Sequence, residues 1–333
     1  MNNGTTHRRR HQRDRQRAGR IDSLTTTLRT DYWVIDERGR LPDPDLVAGL
    51  PGAEGTDSPY SVAVETPSCE DCGELRRALT TRLRSTVAAA HERGCRLLAL
   101  GIRPDRLAEG LDSWTDQPPP AATAGTRVVF EPEPAAAADC YNTLLALDPA
   151  FALLNTACRA DGDRRDACGR PSLRHRGPPA PYHSADTAAA RLEPAGDDGW
   201  QPVAWLDGGS TIEWRSLDAT TPTLLVDLLA DLTAILQEAA RCRVTVASFG
   251  NGFHGDRLVL PDETWRAIYT EAAIREGVSS LLVRAYLERF GIETGWYRAA
   301  SQPVCEGSVT DCRALCRRLA TDLETDLGIP PLD

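Results

Sequence analysis

The stretch Thr211-Ile-Glu-Trp-Arg-Ser-Leu-Asp218 alternates between polar and apolar side chains over its first five residues. Successive side chains of a β-strand point to opposite faces, so Glu213 and Arg215 share one face. Ile212 and Trp214 share the other, which the pattern places in a hydrophobic core. The polar face is either a solvated ion pair or a site where the carboxylate holds a cation and the guanidinium holds a phosphate or carboxylate.

The chain has 333 residues, of which 41% are apolar, and it can bury a core as one large domain or two smaller ones. No apolar run reaches the ~18 residues that a membrane span requires. The N-terminal sequence also lacks the apolar core of a signal peptide. We therefore expect a soluble, cytoplasmic protein that does not contact membranes.

Charge is distributed unevenly along the chain. Residues 1–20 contain seven arginines and one aspartate, which gives this segment a net charge of +6. Because the whole chain has a net charge of −10, the remaining residues together carry −16. We expect residues 1–22 to form a disordered tail, because they are arginine-rich and poor in apolar side chains. An acidic body repels nucleic acid, which leaves residues 1–20 as the segment that could contact it.

The sequence contains no lysine, so all 38 basic residues are arginines. This excludes a phosphate-loop lysine and a Schiff-base lysine. An acidic body without lysine fits a high-salt environment or a GC-rich organism, and composition does not separate these causes.

Ten cysteines in a chain without a signal peptide are expected to be thiols rather than disulfides. The pairs Cys69/Cys72 and Cys312/Cys316 have spacings found in metal sites. Neither pair has a second half at a recognised distance, so structural zinc is the less favoured interpretation.

Periodicity predicts alternating strands and helices, with a long loop at 159–199. The glycine-rich segment 250–255 is interpreted as a hairpin-like connection, with His254 in a structural role, and Trp33 and Trp214 are expected in the core. The predicted strands are 31–35, 61–65, 96–100, 127–131 and 211–218. One predicted helix has Leu75, Leu79, Leu83 and Val87 on one stripe and stops at Gly94. The other predicted helices are 140–158, 224–236, 262–276, 278–290 and 310–327.

Five short segments follow one another along the chain: Asp31-Tyr-Trp-Val-Ile-Asp36, Val64-Glu-Thr-Pro67, Gly125-Thr-Arg-Val-Val-Phe-Glu131, Ala146-Leu-Asp-Pro-Ala150 and Glu213-Trp-Arg-Ser-Leu-Asp218. Their combination and order resemble the glutamate–cysteine ligase family, and within it the haloarchaeal carboxylate–amine ligases. The resemblance covers residues 27–300, so we expect a family-like domain at 23–300 and a helical segment at 301–333.

The resemblance implies an α+β fold like that of glutamine synthetase, in which a curved antiparallel sheet forms a funnel. It also implies two cofactors, ATP and Mg²⁺, on the inner face of that sheet. Members of the family phosphorylate the γ-carboxylate of glutamate, and an amine such as that of cysteine displaces the phosphate to form a γ-glutamyl amide.

Under this resemblance, Asp31, Glu65 and Glu213 are the candidate metal ligands. Arg215 and Glu213 are the candidate catalytic residues, because basic groups offset charge on a transferred phosphoryl group. Arg215, Arg127 and Glu131 are the candidate cofactor-binding residues.

The sequence departs from the family at the same strands. Arg29 and Asp31 stand where the family has two glutamates, and Arg127 and Val129 stand where it has two histidines. These changes add positive charge to a face expected to hold divalent cations. We hypothesise that Arg29 and Arg127 pair with Glu65, Glu131 or Glu213 and replace Mg²⁺; the alternative is a single Mg²⁺ held by Asp31, Glu65 and Glu213.

Three functions therefore remain open. The first is an active ATP-dependent ligase. The second is an inactive paralogue that serves as a binding or regulatory subunit, as an oligomer or with a partner ligase. The third is contact with nucleic acid through residues 1–20.

Overall fold

The structure is a computed structural model that describes residues 24–105, 123–148, 150–151, 154, 159–160, 163–164, 201–206, 211–300 and 309–330. The predicted tail and most of the predicted loop 159–199 lie outside these ranges. Within the described part, no helix has both the length and the apolar character of a membrane span.

A six-stranded sheet organises the protein, in the order β2-β1-β4-β8-β7, with β3 pairing to β1 as well. All its pairings are antiparallel, which confirms the predicted α+β class; the funnel shape remains a prediction. The strands are β1 (Thr25–Asp36), β2 (Ser61–Glu65), β3 (Cys95–Leu98), β4 (Gly125–Glu131), β5 (Arg159–Ala160), β6 (Asp163–Arg164), β7 (Val203–Leu206), β8 (Thr211–Asp218), β9 (Arg243–Ala247), β10 (Gly252–His254) and β11 (Arg257–Pro261).

Helices cover one face of this sheet and form the main core with it. The described helices are α1 (Pro44–Ala48), α2 (Cys72–His91), α3 (Ala137–Leu147), α4 (Pro222–Ala239), α5 (Glu263–Glu276), α6 (Leu281–Glu288), α7 (Thr294–Ala300) and α8 (Val309–Asp326). The carboxylate of Asp71 accepts a hydrogen bond from the amide of Glu74 and caps α2. The predicted stripe of Leu75, Leu79 and Leu83 is buried, as its four-residue spacing requires.

Helix α3 is shorter than the sequence predicts, because it ends at Leu147 and not at 158. Asp148 has a ψ angle of 133°, an extended conformation that the following Pro149 favours by clashing with a helical one. The carboxylate of Asp148, just beyond the end of α3, accepts a hydrogen bond from the Trp214 indole, at 2.9 Å. Trp214 and Trp33 are both buried, which confirms their predicted core positions.

A second, three-stranded sheet has the order β10-β11-β9. Strands β10 and β11 form an antiparallel hairpin that ends at the pair His254 and Arg257, as predicted for this glycine-rich segment. His254 Nε2 lies 2.6 Å from the Gly250 carbonyl oxygen, a contact that supports the turn. The sequence patterns predicted none of α1, β5, β6, β7, β9 and α7.

The C-terminal helix α8 is attached to the sheet by a buried carboxylate. Glu324 accepts hydrogen bonds from Arg96 Nε of β3, at 2.8 Å, and lies 3.0 Å from His91 Nε2 of α2. Arg96 also donates to Thr321 on the same helix, at 2.8 Å. This ion pair therefore fixes the position of α8 relative to both the sheet and α2.

Replacing Glu324 by alanine is expected to reduce the free energy of unfolding by about 3–5 kcal/mol, because Arg96 would keep a buried charge without its partner. Asp322 is exposed on the same helix. Asp322→Ala is the matched control and should change stability by about 0.5 kcal/mol or less. Urea denaturation compares the two variants, and equal losses would contradict the proposed role of the buried pair.

Candidate functional site

The strand order brings the predicted site residues onto adjacent strands. Residues directly opposite each other in paired strands have side chains on the same face of the sheet. Arg29 lies opposite both Glu65 and Arg127, and Val129 lies opposite Glu213. The face opposite the main core, here called the charged face, therefore carries Arg29, Asp31, Glu65, Arg127, Glu131, Glu213 and Arg215.

A β-bulge in β8 brings a third arginine beside the first two. Between the pairs Thr126/Leu217 and Val128/Trp214, β4 has one residue and β8 has two, one of them Arg215. Arg215 therefore lies next to Arg127, which lies directly opposite Arg29. Arg29, Arg127 and Arg215 therefore lie side by side on three neighbouring strands.

The ion pairs on the charged face differ from the hypothesis. Arg29 Nε lies 3.6 Å from Asp31 Oδ1, and Arg29 Nη2 donates to the Gly55 carbonyl oxygen. The predicted pairing of Arg29 with Glu65, Glu131 or Glu213 is therefore wrong. Arginine prefers Asp31 because that carboxylate is two residues away on the same strand and face.

Glu213 is paired in the same way, with Arg215 on its own strand. The Glu213 side chain is only 9% exposed and that of Arg215 is 28% exposed. Burying a charged side chain is unfavourable unless it is paired, and Arg215 is the partner that the fold supplies to Glu213. The opening prediction that Glu213 and Arg215 share a face is confirmed, and they interact directly.

The other three charged side chains are more exposed. Glu131 accepts a hydrogen bond from the Thr25 hydroxyl, at 2.7 Å. Arg127 and Glu65 are exposed, and neither forms a hydrogen bond or ion pair with any residue the structure describes. Arg127 is therefore the cation of this face that is available to a ligand.

The predicted metal ligands are not gathered around one position. Glu65 and Glu213 are three strands apart, roughly 14 Å at ~4.8 Å per strand, whereas Mg²⁺ holds oxygen ligands at about 2.1 Å. Across the described residues, no three histidine, cysteine or acidic side chains form a group suited to a metal ion. Since Asp31 and Glu213 are also paired with arginines, the charged face does not fit a single Mg²⁺ shared by Asp31, Glu65 and Glu213.

Burial dominates the electrostatics of Asp31. Desolvation raises the pKa of its carboxyl above the usual 3.8, although the guanidinium groups of Arg29 and Arg127 oppose this shift. The effect of Arg127 shows that its charge reaches Asp31 across the strand pair. Asp31 is therefore a partly desolvated carboxylate that is paired with Arg29 and lies within the electrostatic influence of Arg127.

Neither predicted cysteine pair belongs to a group of three or more metal-ligating side chains among the residues that the structure describes. Cys69, Cys72, Cys312 and Cys316 are thiols, as predicted, and no described cysteine forms a disulfide. Desolvation raises the pKa of the Cys69 thiol, which makes it a poorer thiolate ligand.

Two features of the charged face were missed by the sequence analysis. One is the hydrogen bond from Arg29 to the carbonyl oxygen of Gly55, which ends a 3₁₀ helix (Ala53–Gly55) 26 positions away. The other is the bulge beside Arg127, because the regular alternation of 211–215 gives no sign of an extra residue.

No protein-family model and no curated protein matches the sequence. The structure is similar to a bifunctional glutathione synthetase from Pasteurella multocida, with a TM-score of 0.48 and 11% identity over 92% of this chain and 52% of the other. It is similar to a glutamate–cysteine ligase from Francisella tularensis in complex with AMP, with a TM-score of 0.47 and 10% identity over 92% of this chain and 84% of the other. A third match is the ligase PafA in its complex with the ubiquitin-like protein Pup, with a TM-score of 0.40, 11% identity, and coverage of 92% of this chain and 63% of the ligase.

The chain thus spans about half the length of the glutathione synthetase. The resemblance to glutamate–cysteine ligases remains a prediction.

Replacing Asp31 by asparagine tests whether burial or arginine pairing dominates at this position. The raised pKa means that folded Asp31 keeps its proton to higher pH than unfolded Asp31. Its contribution to stability is therefore present at low pH and lost as pH rises above the usual carboxyl pKa. We expect Asp31→Asn to become more stable relative to the wild type as pH rises from about 4 to about 7, as followed by urea denaturation. The opposite trend would show that the pairing with Arg29 dominates.

Proposed function

We propose that the protein is a ligase-like binding protein that holds an anionic ligand on its charged face without a bridging divalent cation. The ligand class is a nucleotide phosphate or a substrate carboxylate such as that of glutamate. Among the three functions considered, this corresponds to the inactive paralogue that serves as a binding or regulatory subunit.

The observation that carries the proposal is the register of Arg29 directly opposite Arg127. Like charges in opposite positions of two strands destabilise a sheet. Asp31 offsets the charge of Arg29, whereas Arg127 has no partner in the described part of the chain. A bound oxyanion would remove the repulsion, because guanidinium groups bind carboxylates and phosphates through charge-assisted hydrogen bonds.

The pairing of two carboxylates with arginines supports the same proposal. A Mg²⁺ site requires several carboxylates that are free to bind the ion. Asp31 and Glu213 are each paired with an arginine on their own strand. Moving either carboxylate to a metal would leave a guanidinium unpaired on a partly desolvated face.

Calorimetric titration of the protein with ATP distinguishes binding by the arginines alone from binding through Mg²⁺. We expect ATP to bind in EDTA, with no increase in affinity when excess Mg²⁺ is present, because the arginines replace the cation. Binding that appears only with Mg²⁺ would contradict the proposal.

Arg127→Gln should weaken the binding of ATP in EDTA by about tenfold or more, the equivalent of one hydrogen-bonded charge. Arg82→Gln is the matched control, since Arg82 is exposed on helix α2 and outside the charged face. It should leave the affinity unchanged. Equal affinities of the two variants would remove Arg127 from the site.

A second candidate function is the ATP-dependent formation of a γ-glutamyl amide. It is favoured by the four adjacent strands β2, β1, β4 and β8, each of which carries a carboxylate on the charged face. Release of ADP with glutamate, Mg²⁺ and a panel of amines that includes cysteine tests it. Turnover above the enzyme-free blank would support the ligase and overturn the inactive assignment.

A further inference from the structure

Arg266 on helix α5 is a buried arginine whose guanidinium has two nitrogen atoms without a hydrogen-bond partner in the described part of the protein. It is 3% exposed, and both its Nε and its Nη2 atoms are buried and unsatisfied. A buried charge without a partner is strongly unfavourable, so native proteins normally pair it. This position therefore requires an acceptor.

Among the side chains that the structure describes, no buried carboxylate pairs with Arg266. The ionisable groups that interact with it are those of Glu263, Tyr141 and Tyr286. Glu263 lies on the first turn of the same helix and is exposed. Desolvation lowers the pKa of the Arg266 guanidinium, and the two tyrosines do not provide the charge that would balance it.

The two unsatisfied atoms define the shape of the missing acceptor. The N–H group of Nε and one N–H group of Nη2 point in the same direction. Together they match two oxygen atoms of a carboxylate or phosphate. Arg96 uses these same two atoms to bind both oxygens of Glu324. Arg103 uses them to bind Asp105, at 2.7 and 3.0 Å. At Arg266 the same two donor atoms are buried, and none of the described residues accepts a hydrogen bond from them.

A second unsatisfied group lies in the same aromatic cluster. Tyr286 stacks on Tyr269, with 4.0 Å between the ring centroids, and the Tyr269 hydroxyl lies 3.4 Å from Asn251 Nδ2. Asn251 is buried, and its Oδ1 atom has no hydrogen-bond donor in the described part of the structure. The cluster thus offers two donors at Arg266 and one acceptor at Asn251.

We propose that Arg266 is a binding site for a small oxyanion, a carboxylate or a phosphate, that accepts hydrogen bonds from Nε and Nη2 together. The site is separate from the charged face. Tyr141 packs on Trp205, with 5.0 Å between the ring centroids, and Trp205 lies opposite Ile212 on the helix-covered face of the sheet. The proposal therefore does not rest on the proposed function.

The full-length protein is titrated with succinate, glycine and inorganic phosphate, each at ionic strength matched with sodium chloride. Binding is followed by calorimetry and by the melting temperature. At least one probe should raise the melting temperature by about 2 °C at roughly tenfold excess over its Kd. A response to glycine alone would indicate that a ligand amine satisfies Asn251, and a response to phosphate alone would indicate a phosphorylated ligand.

Two variants connect the response to the guanidinium. Arg266→Lys retains the charge but not the parallel donors, so it should weaken binding by at least tenfold. Arg266→Met should abolish binding, and without ligand it should melt no lower than the wild type because the unpaired buried charge is gone. Arg82→Gln is the surface control, and Arg127→Gln should keep the response because it alters only the charged face.

The proposal is overturned if no probe raises the melting temperature above the chloride control, or if Arg266→Lys binds as tightly as the wild type. If Arg266→Met fails to fold, the comparison of Arg266→Lys with the wild type still decides between the outcomes.

Discussion

Strand β1 places Leu28 and Tyr32 in the main core and Arg29 and Asp31 on the charged face, and this alternation constrains the rest of the sheet. The strand pairs with β2, β3 and β4, so its register sets which side of three neighbours is buried. A shift of one residue would move Arg29 into the core and Leu28 into solvent. The positions of Glu65, Arg127 and, through β4, Glu213 follow from this one register.

The charged face shows how a sheet accommodates arginines where a metal site would need free carboxylates. Asp31 and Glu213 are bound by guanidinium groups from their own strands, and such pairs form without any long-range rearrangement. Arg127 is different, because its opposite neighbour is another arginine. The excess positive charge of the face is therefore local to β1 and β4. An anionic ligand offsets this charge, whereas a divalent cation would add to it.

Much of this arrangement is visible in the sequence, because alternation and helical stripes are local. The strand Thr211–Asp218 and the leucines of α2 lie where their spacing predicts them. The partner of Arg29 could not be predicted, since its second contact is the carbonyl oxygen of Gly55, in the 3₁₀ helix that precedes β2. The bulge at Arg215 and the edge strand β7 were also missed, because both are set by pairing between strands and not by the pattern within one.

Arg96 and Arg266 show why burial of an arginine cannot be interpreted without its neighbours. Both are almost fully buried, yet Arg96 faces Glu324 from a helix more than two hundred residues away in sequence, while Arg266 faces tyrosines. The aliphatic stem of an arginine packs like an apolar side chain, so either residue can be drawn into the interior by its stem. What differs is the group that meets the guanidinium. At Arg96 the protein itself supplies a buried carboxylate, and the charge stabilises the fold. At Arg266 the described residues supply no buried carboxylate, so the two parallel donors remain available, and a small oxyanion is the group that matches them.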